Sequence, residues 1–122
     1  MIGHLIALLF LGRDLAHREH LKAQGPGSFA RHKALNDFYI NIIELADNLA
    51  EAYQGRQGKP ISEIPLLENK GDGEIAEQLR KQLDWIEANR YEAVKKTDTP
   101  LQNIIDEICG EYLSALYMLS LK

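Results

Sequence analysis

Three observations on the 122-residue sequence predict an all-α fold of four long helices packed as a bundle. Apolar residues recur at helical rather than alternating spacing along almost the whole chain. Clusters of β-branched residues are few. Glycine and proline divide the chain into four segments of similar length. One domain over residues 1–122 is expected, and it is large enough to bury a core without disulfide staples.

The first segment runs from Ile2 to Lys22 and is broken by Gly25-Pro26-Gly27. Its opening, Met1 to Leu11, is strongly apolar but far short of the ~20 residues a membrane span needs. No positive charge precedes it and no small-residue cleavage site follows, so neither a leader nor a membrane anchor is expected. Such a start implies burial on several sides, including against a partner subunit. The second segment runs from Phe29 to Tyr53, with Ser28 as its N-cap and Gly55, Gly58 and Pro60 as its end. The connection from Gly55 to Gly71 has room for one short helical turn near Ile61 to Leu66. The third segment follows an N-cap at Asp72 and reaches about Lys96, with Ile75, Leu79, Leu83 and Ile86 as its core stripe. Thr99-Pro100-Leu101-Gln102 reads as a capping box with proline in the first turn and opens the fourth segment. That segment buries Leu101, Ile105, Ile108, Tyr112, Leu116 and Leu119. Two connections are short and one, between the second and third helices, is long; this is the ferritin-like version of a four-helix bundle.

Composition excludes some functions. The formal net charge is −4 and neither end carries a basic tail, so a sequence-independent grip on DNA is not expected. Arg13, Arg18, Lys22, Arg31 and Lys33, with His17 and His20 among them, read as a solvated face at helix ends. The lone Cys109 cannot form an internal disulfide, which fits a cytoplasmic protein, and reads as a small apolar residue on a helix.

The second helix carries polar residues where a bundle helix should be apolar. With His32 as origin and about 100° per residue, Asn36 falls near ~40°, Asp47 near ~60° and Glu51 near ~100°. A histidine, an amide and two carboxylates on one stripe are donor types that iron, manganese and zinc use. One helix cannot gather them, because Asn36 and Asp47 lie about 16 Å apart along the axis and His32 and Glu51 about 28 Å. A second copy laid antiparallel about a two-fold axis can. Facing residues in such a pair have a constant sum of residue numbers, and His32 with Glu51 shares its sum with Asn36 and Asp47. The axis then falls near Asn41 and Ile42. The same stripe can also be a polar interface that fixes helix register without metal.

The stretch Leu15-Ala16-His17, His20, Gly25-Pro26, Phe29, His32, Leu35, Phe38, Asp47 and Ala50-Glu51 resembles the Dps-type mini-ferritins. The spacings between His20, His32, Asn36, Asp47 and Glu51 match that family's ligand series throughout. Asp98-Thr99-Pro100 through Ile104-Ile105-Asp106 resembles the start of the family's last helix, and Tyr117-Met118-Leu119 its close. The resemblance implies a ferritin-like subunit with a short helix in the crossover, a dodecameric cage, and a ferroxidase site at each two-fold interface. His20 and His32 of one subunit would join Asp47 and Glu51 of its partner, with Glu51 bridging two irons. Fe(II) would be oxidised there by oxygen or peroxide and stored; zinc or manganese are the other metals the donor set suits. The sequence departs from the pattern at Asn36, where the family has aspartate, and Asp37 sits about 100° round the helix as a poor substitute. It has Leu21 where a tryptophan is usual and lacks the lysine-rich tail. Short ferritin-like chains of this kind also occur among phage proteins of unknown role.

Two other functions compete with iron oxidation. One is a ferritin-like scaffold or interaction protein whose metal site is degenerate; Asn36 favours it. The other is a helical nuclease using Arg13 with His17, or Arg31 with His32, but no single pocket is implied. His17 lacks a carboxylate at matching spacing and reads as packing or surface.

Overall fold

The computed structural model of the protein describes residues 1–69 and 73–121. It has four helices: α1 (Ile2–Lys22), α2 (Ser28–Gln57), α3 (Ile75–Ala93) and α4 (Thr99–Ser120). No strand occurs among the described residues.

Side-chain pairs give the direction of each helix. His32 near the start of α2 meets His20 at the end of α1, so these two are antiparallel. Arg31 reaches Glu74 just before α3, so α2 and α3 start at the same end and run parallel. Arg56 at the end of α2 binds Asp98 at the head of α4, and Arg90 of α3 binds Asp106 of α4. The path is therefore up, down, down, up. α1 and α4 each touch both α2 and α3, while the diagonal pairs stay apart. This is an all-α four-helix bundle with one long crossover between its second and third helices, as the sequence predicted.

The core is the set of predicted stripes. Ile75, Leu79, Leu83 and Ile86 of α3 and Leu101, Ile105, Ile108, Tyr112 and Leu116 of α4 are buried, and Leu119 is partly so. α1 adds Leu5, Ile6 and Leu9, and α2 adds Leu35, Phe38, Ile42 and Leu49. Each fully buried side chain of this size contributes about 1.5–3 kcal/mol, whereas an exposed ion pair contributes about 0–1 kcal/mol. The core therefore holds the bundle, and pairs such as Arg56–Asp98 act on alignment. Cys109 is a buried free thiol in the wall of α4.

Several boundaries differ from expectation. Ser28 is the first helical residue rather than the cap; the cap is Gly27 at φ 77, without a side-chain bond. α2 passes Gly55 and stops at Gly58, whose φ of 75 and N–H bond to the Gln54 carbonyl (2.9 Å) form a left-handed glycine stop. α3 ends at Ala93 and not Lys96: Val94 is extended (φ −139, ψ 138), and Gln102 donates to the carbonyls of Val94 (3.0 Å) and Lys95 (3.3 Å) just past the helix end. The same contacts remove the capping box: Asp98 is the cap of α4, and Gln102 points across to α3 rather than back to Thr99. The expected cap at Asp72 lies outside the described residues, and Glu74 precedes α3.

The crossover carries no helix among its described residues, contrary to the turn expected over Ile61 to Leu66. Side chains of α2 instead hold the start of this segment. Gln54 Oε1 accepts from the Ile61 N–H (2.9 Å), and Gln57 Nε2 donates to the carbonyls of Lys59 (2.8 Å) and Pro60 (3.2 Å). Pro65 also turns Ile64 away from helical backbone. The segment lies so close on α1 that a Cβ at Gly3 would strike the Glu63 carbonyl. No helix among the described residues is long and apolar enough to cross a membrane.

Candidate metal centre

Two short-loop neighbours, the end of α1 and the start of α2, bring four rings together. His20 is 7% exposed and stacks on His32 at 3.7 Å between centroids. His17 stacks flat on Tyr39 at 4.1 Å, so it is a packing residue, and Tyr39 also meets the edge of His20 at 5.3 Å.

The two central imidazoles are held reciprocally. His20 Nδ1 lies 3.0 Å from the His32 carbonyl, and His32 Nδ1 lies 3.2 Å from the His20 carbonyl. A carbonyl only accepts, so each Nδ1 must carry its hydrogen and donate. In a neutral ring that arrangement places the lone pair on Nε2, which has no protein partner among the described residues. A metal-binding histidine is held in this way, with its other ring nitrogen on a carbonyl or carboxylate.

Asn36 lies one turn beyond His32, half-buried, and its Oδ1 accepts the Tyr39 hydroxyl at 3.2 Å. Its oxygen is thus engaged within the chain. Asp47 and Glu51 are exposed farther along α2. The structure brings His20 and His32 together, sets Asn36 beside them, and leaves Asp47 and Glu51 apart from them on the same helix. Among the described residues of one chain, no group of three or more histidine, cysteine, aspartate or glutamate side chains gathers to hold a metal. The donor types present, two oriented imidazoles and two exposed carboxylates farther along α2, are ones that divalent metals use.

Tyr39 is the residue the sequence reading missed. Its signal is its place on α2, seven residues after His32 and so on the same helix face. Ile40 and Ile43 also went unread. They fall within the stripe, between its two polar ends, and their residue numbers have the same sum as the two polar pairs. Ile40 is 44% exposed and Ile43 half-buried.

Residues 20–119 match the sequence pattern of a family of unknown function, DUF5856. The chain belongs to this family. It is also similar to a protein of Enterobacteria phage T4 described as an uncharacterized 14.6 kDa protein in the mobD-ri intergenic region. That similarity is 26% identity over 117 residues, covering 96% of this chain and 86% of the phage protein. No solved structure matches the fold.

Proposed function

We propose that the chain is one subunit of a symmetric assembly that binds Fe(II) where two copies meet and promotes its oxidation, in the manner of a mini-ferritin. The observation that carries this reading is the pair of imidazoles whose Nδ1 hydrogens are committed to backbone carbonyls, leaving both Nε2 atoms as ligands. His20 and His32 of one copy supply nitrogen, and Asp47 and Glu51 of the other supply oxygen and negative charge. The iron supplies the electron to oxygen or peroxide. The protein's part is to orient the rings, to neutralise the ion, and to keep His20 out of bulk water. A dodecameric cage and iron storage extend the same reading; zinc or manganese would occupy the donors equally well by chemistry alone.

A second reading has its own observation. Asn36 carries no charge, and its oxygen is taken by Tyr39. A second iron beside the first would therefore lack a carboxylate. On this reading the bundle is an interaction scaffold with a degenerate site.

The test is anaerobic Fe(II) binding followed by air oxidation, with wild type and Glu51→Ala compared. Uptake by wild type and its loss in Glu51→Ala supports the iron reading. Wild type that binds neither Fe(II) nor Zn(II), while remaining assembled, leaves the scaffold.

A further inference from the structure

Beside α2 the crossover completes an apolar groove of about 410 Å³. Its apolar walls are Phe10 and Leu11 of α1, Ile43 of α2, and Pro65, Leu66 and Leu67 of the crossover, and the exposed Asp14 of α1 also lines it. Leu66 is fully exposed and Phe10 38% exposed, so the rim is apolar as well. Arg13 also lines the groove, and its buried Nε has no acceptor among the described residues. A groove that exposes leucine and phenylalanine is incomplete in a single chain.

The register of the α2 stripe says what fills it. In an antiparallel pair of α2 helices, Ile43 faces the residue that shares its sum, and that residue is Ile40. Ile40 is one of the large apolar side chains that α2 leaves in solvent. Going outward from the two-fold axis, Asn36 then faces an aspartate and His32 faces a glutamate, on both sides. The face is thus apolar at its centre, and the Asn36 amide hydrogens can be donated to the facing aspartate, whereas His32 and the facing glutamate are joined through a metal ion or a proton on Nε2.

We propose that a second copy of this chain docks on the α1–α2–crossover face, with Ile40 of each copy seated in the groove formed by Phe10, Leu11, Ile43 and Pro65–Leu67 of the other. This deepens the two-copy arrangement on which the iron reading rests, but it needs no metal. The crossover's helix-free path places Leu66 on the groove, where it closes over the partner's Ile40, and a helical turn at Ile61 to Leu66 would have redirected that side chain.

Sedimentation equilibrium in EDTA tests the surface, and disulfide trapping tests the register. Wild type is expected to be a dimer or a larger even assembly. Ile40→Glu, a change at an exposed position, keeps its helicity and weakens association by about two orders of magnitude or more. Leu113→Glu, at an exposed apolar position on α4, leaves association intact. In a Cys109→Ala background, mixed Ile40→Cys and Ile43→Cys chains form a heterodisulfide faster than either variant forms a homodisulfide. A monomeric wild type overturns the proposal. So does association that survives Ile40→Glu, or that is lost in Leu113→Glu instead. Homodisulfides forming as fast as the heterodisulfide overturn the register. Docking in EDTA with no Fe(II) or Zn(II) uptake afterwards keeps this inference and removes the iron reading alone; metal uptake without the heterodisulfide overturns this inference.

Discussion

Tyr112→Phe removes one oxygen atom from the middle of the bundle. Tyr112 is completely buried, and its hydroxyl donates to Gln82 Oε1 at 2.6 Å; Gln82 is itself 6% exposed. The ring of phenylalanine refills the space against Phe38, so the change is one of polarity and not of packing. The Gln82 oxygen is left buried without its donor, which costs about 1–3 kcal/mol. For a chain of this length each kcal/mol lowers Tm by about 4 °C, giving a fall of about 4–12 °C. Gln82→Leu alone strands the Tyr112 hydroxyl at a similar cost of about 1–3 kcal/mol. The double variant Tyr112→Phe/Gln82→Leu removes both polar groups, so its loss is expected to be clearly smaller than the sum of the two singles. Urea unfolding followed by circular dichroism gives all four stabilities. It should be run at several protein concentrations, because association adds to apparent stability. Two results would refute the reasoning: a Tyr112→Phe cost below about 0.5 kcal/mol, or a double variant that is simply additive.

Other outcomes follow from the same geometry. Gly12→Ala places a methyl group on Gln82 Oε1 and against the Tyr112 hydroxyl; it should cost about 1–3 kcal/mol by thermal unfolding, against the usual gain for glycine to alanine in a helix. Burial pushes the Tyr112 phenol well above its ordinary value. Its folded value is raised, so the associated stability is complete below the unfolded value of about 10 and falls as pH rises beyond it; Tyr112→Phe should flatten the alkaline limb of a Tm–pH curve. Arg56 holds the Asp98 carboxyl below the usual range. That stability is present above about pH 4 and fades as pH falls through the lowered folded value, so Arg56→Ala should show a shallower acid limb. Asn36→Asp restores a carboxylate beside His32 and should raise the number of metal ions bound per subunit in calorimetric titration; an unchanged number would count against the two-copy site.

The sequence by itself determined the four helices, the apolar stripes and the order of the bundle, because these depend on periodicity and on breakers such as Gly25-Pro26-Gly27 and Gly58. Residue spacing also set His32, Asn36, Asp47 and Glu51 on one stripe of the second helix, and the resemblance to mini-ferritins added His20. The sequence misjudged the ends where a side chain from elsewhere in the chain outbids the local signal. Gln102 serves α3 instead of capping α4, and Gln54 and Gln57 hold the crossover extended through Ile61. No local rule sees such a partner. Only the tertiary structure decided that the two imidazoles lock one another through backbone carbonyls, that Tyr39 takes the Asn36 oxygen, and that the crossover and α1 build a groove beside Ile43. Each of these joins residues on different elements or depends on a side-chain rotamer, and periodicity carries information about neither.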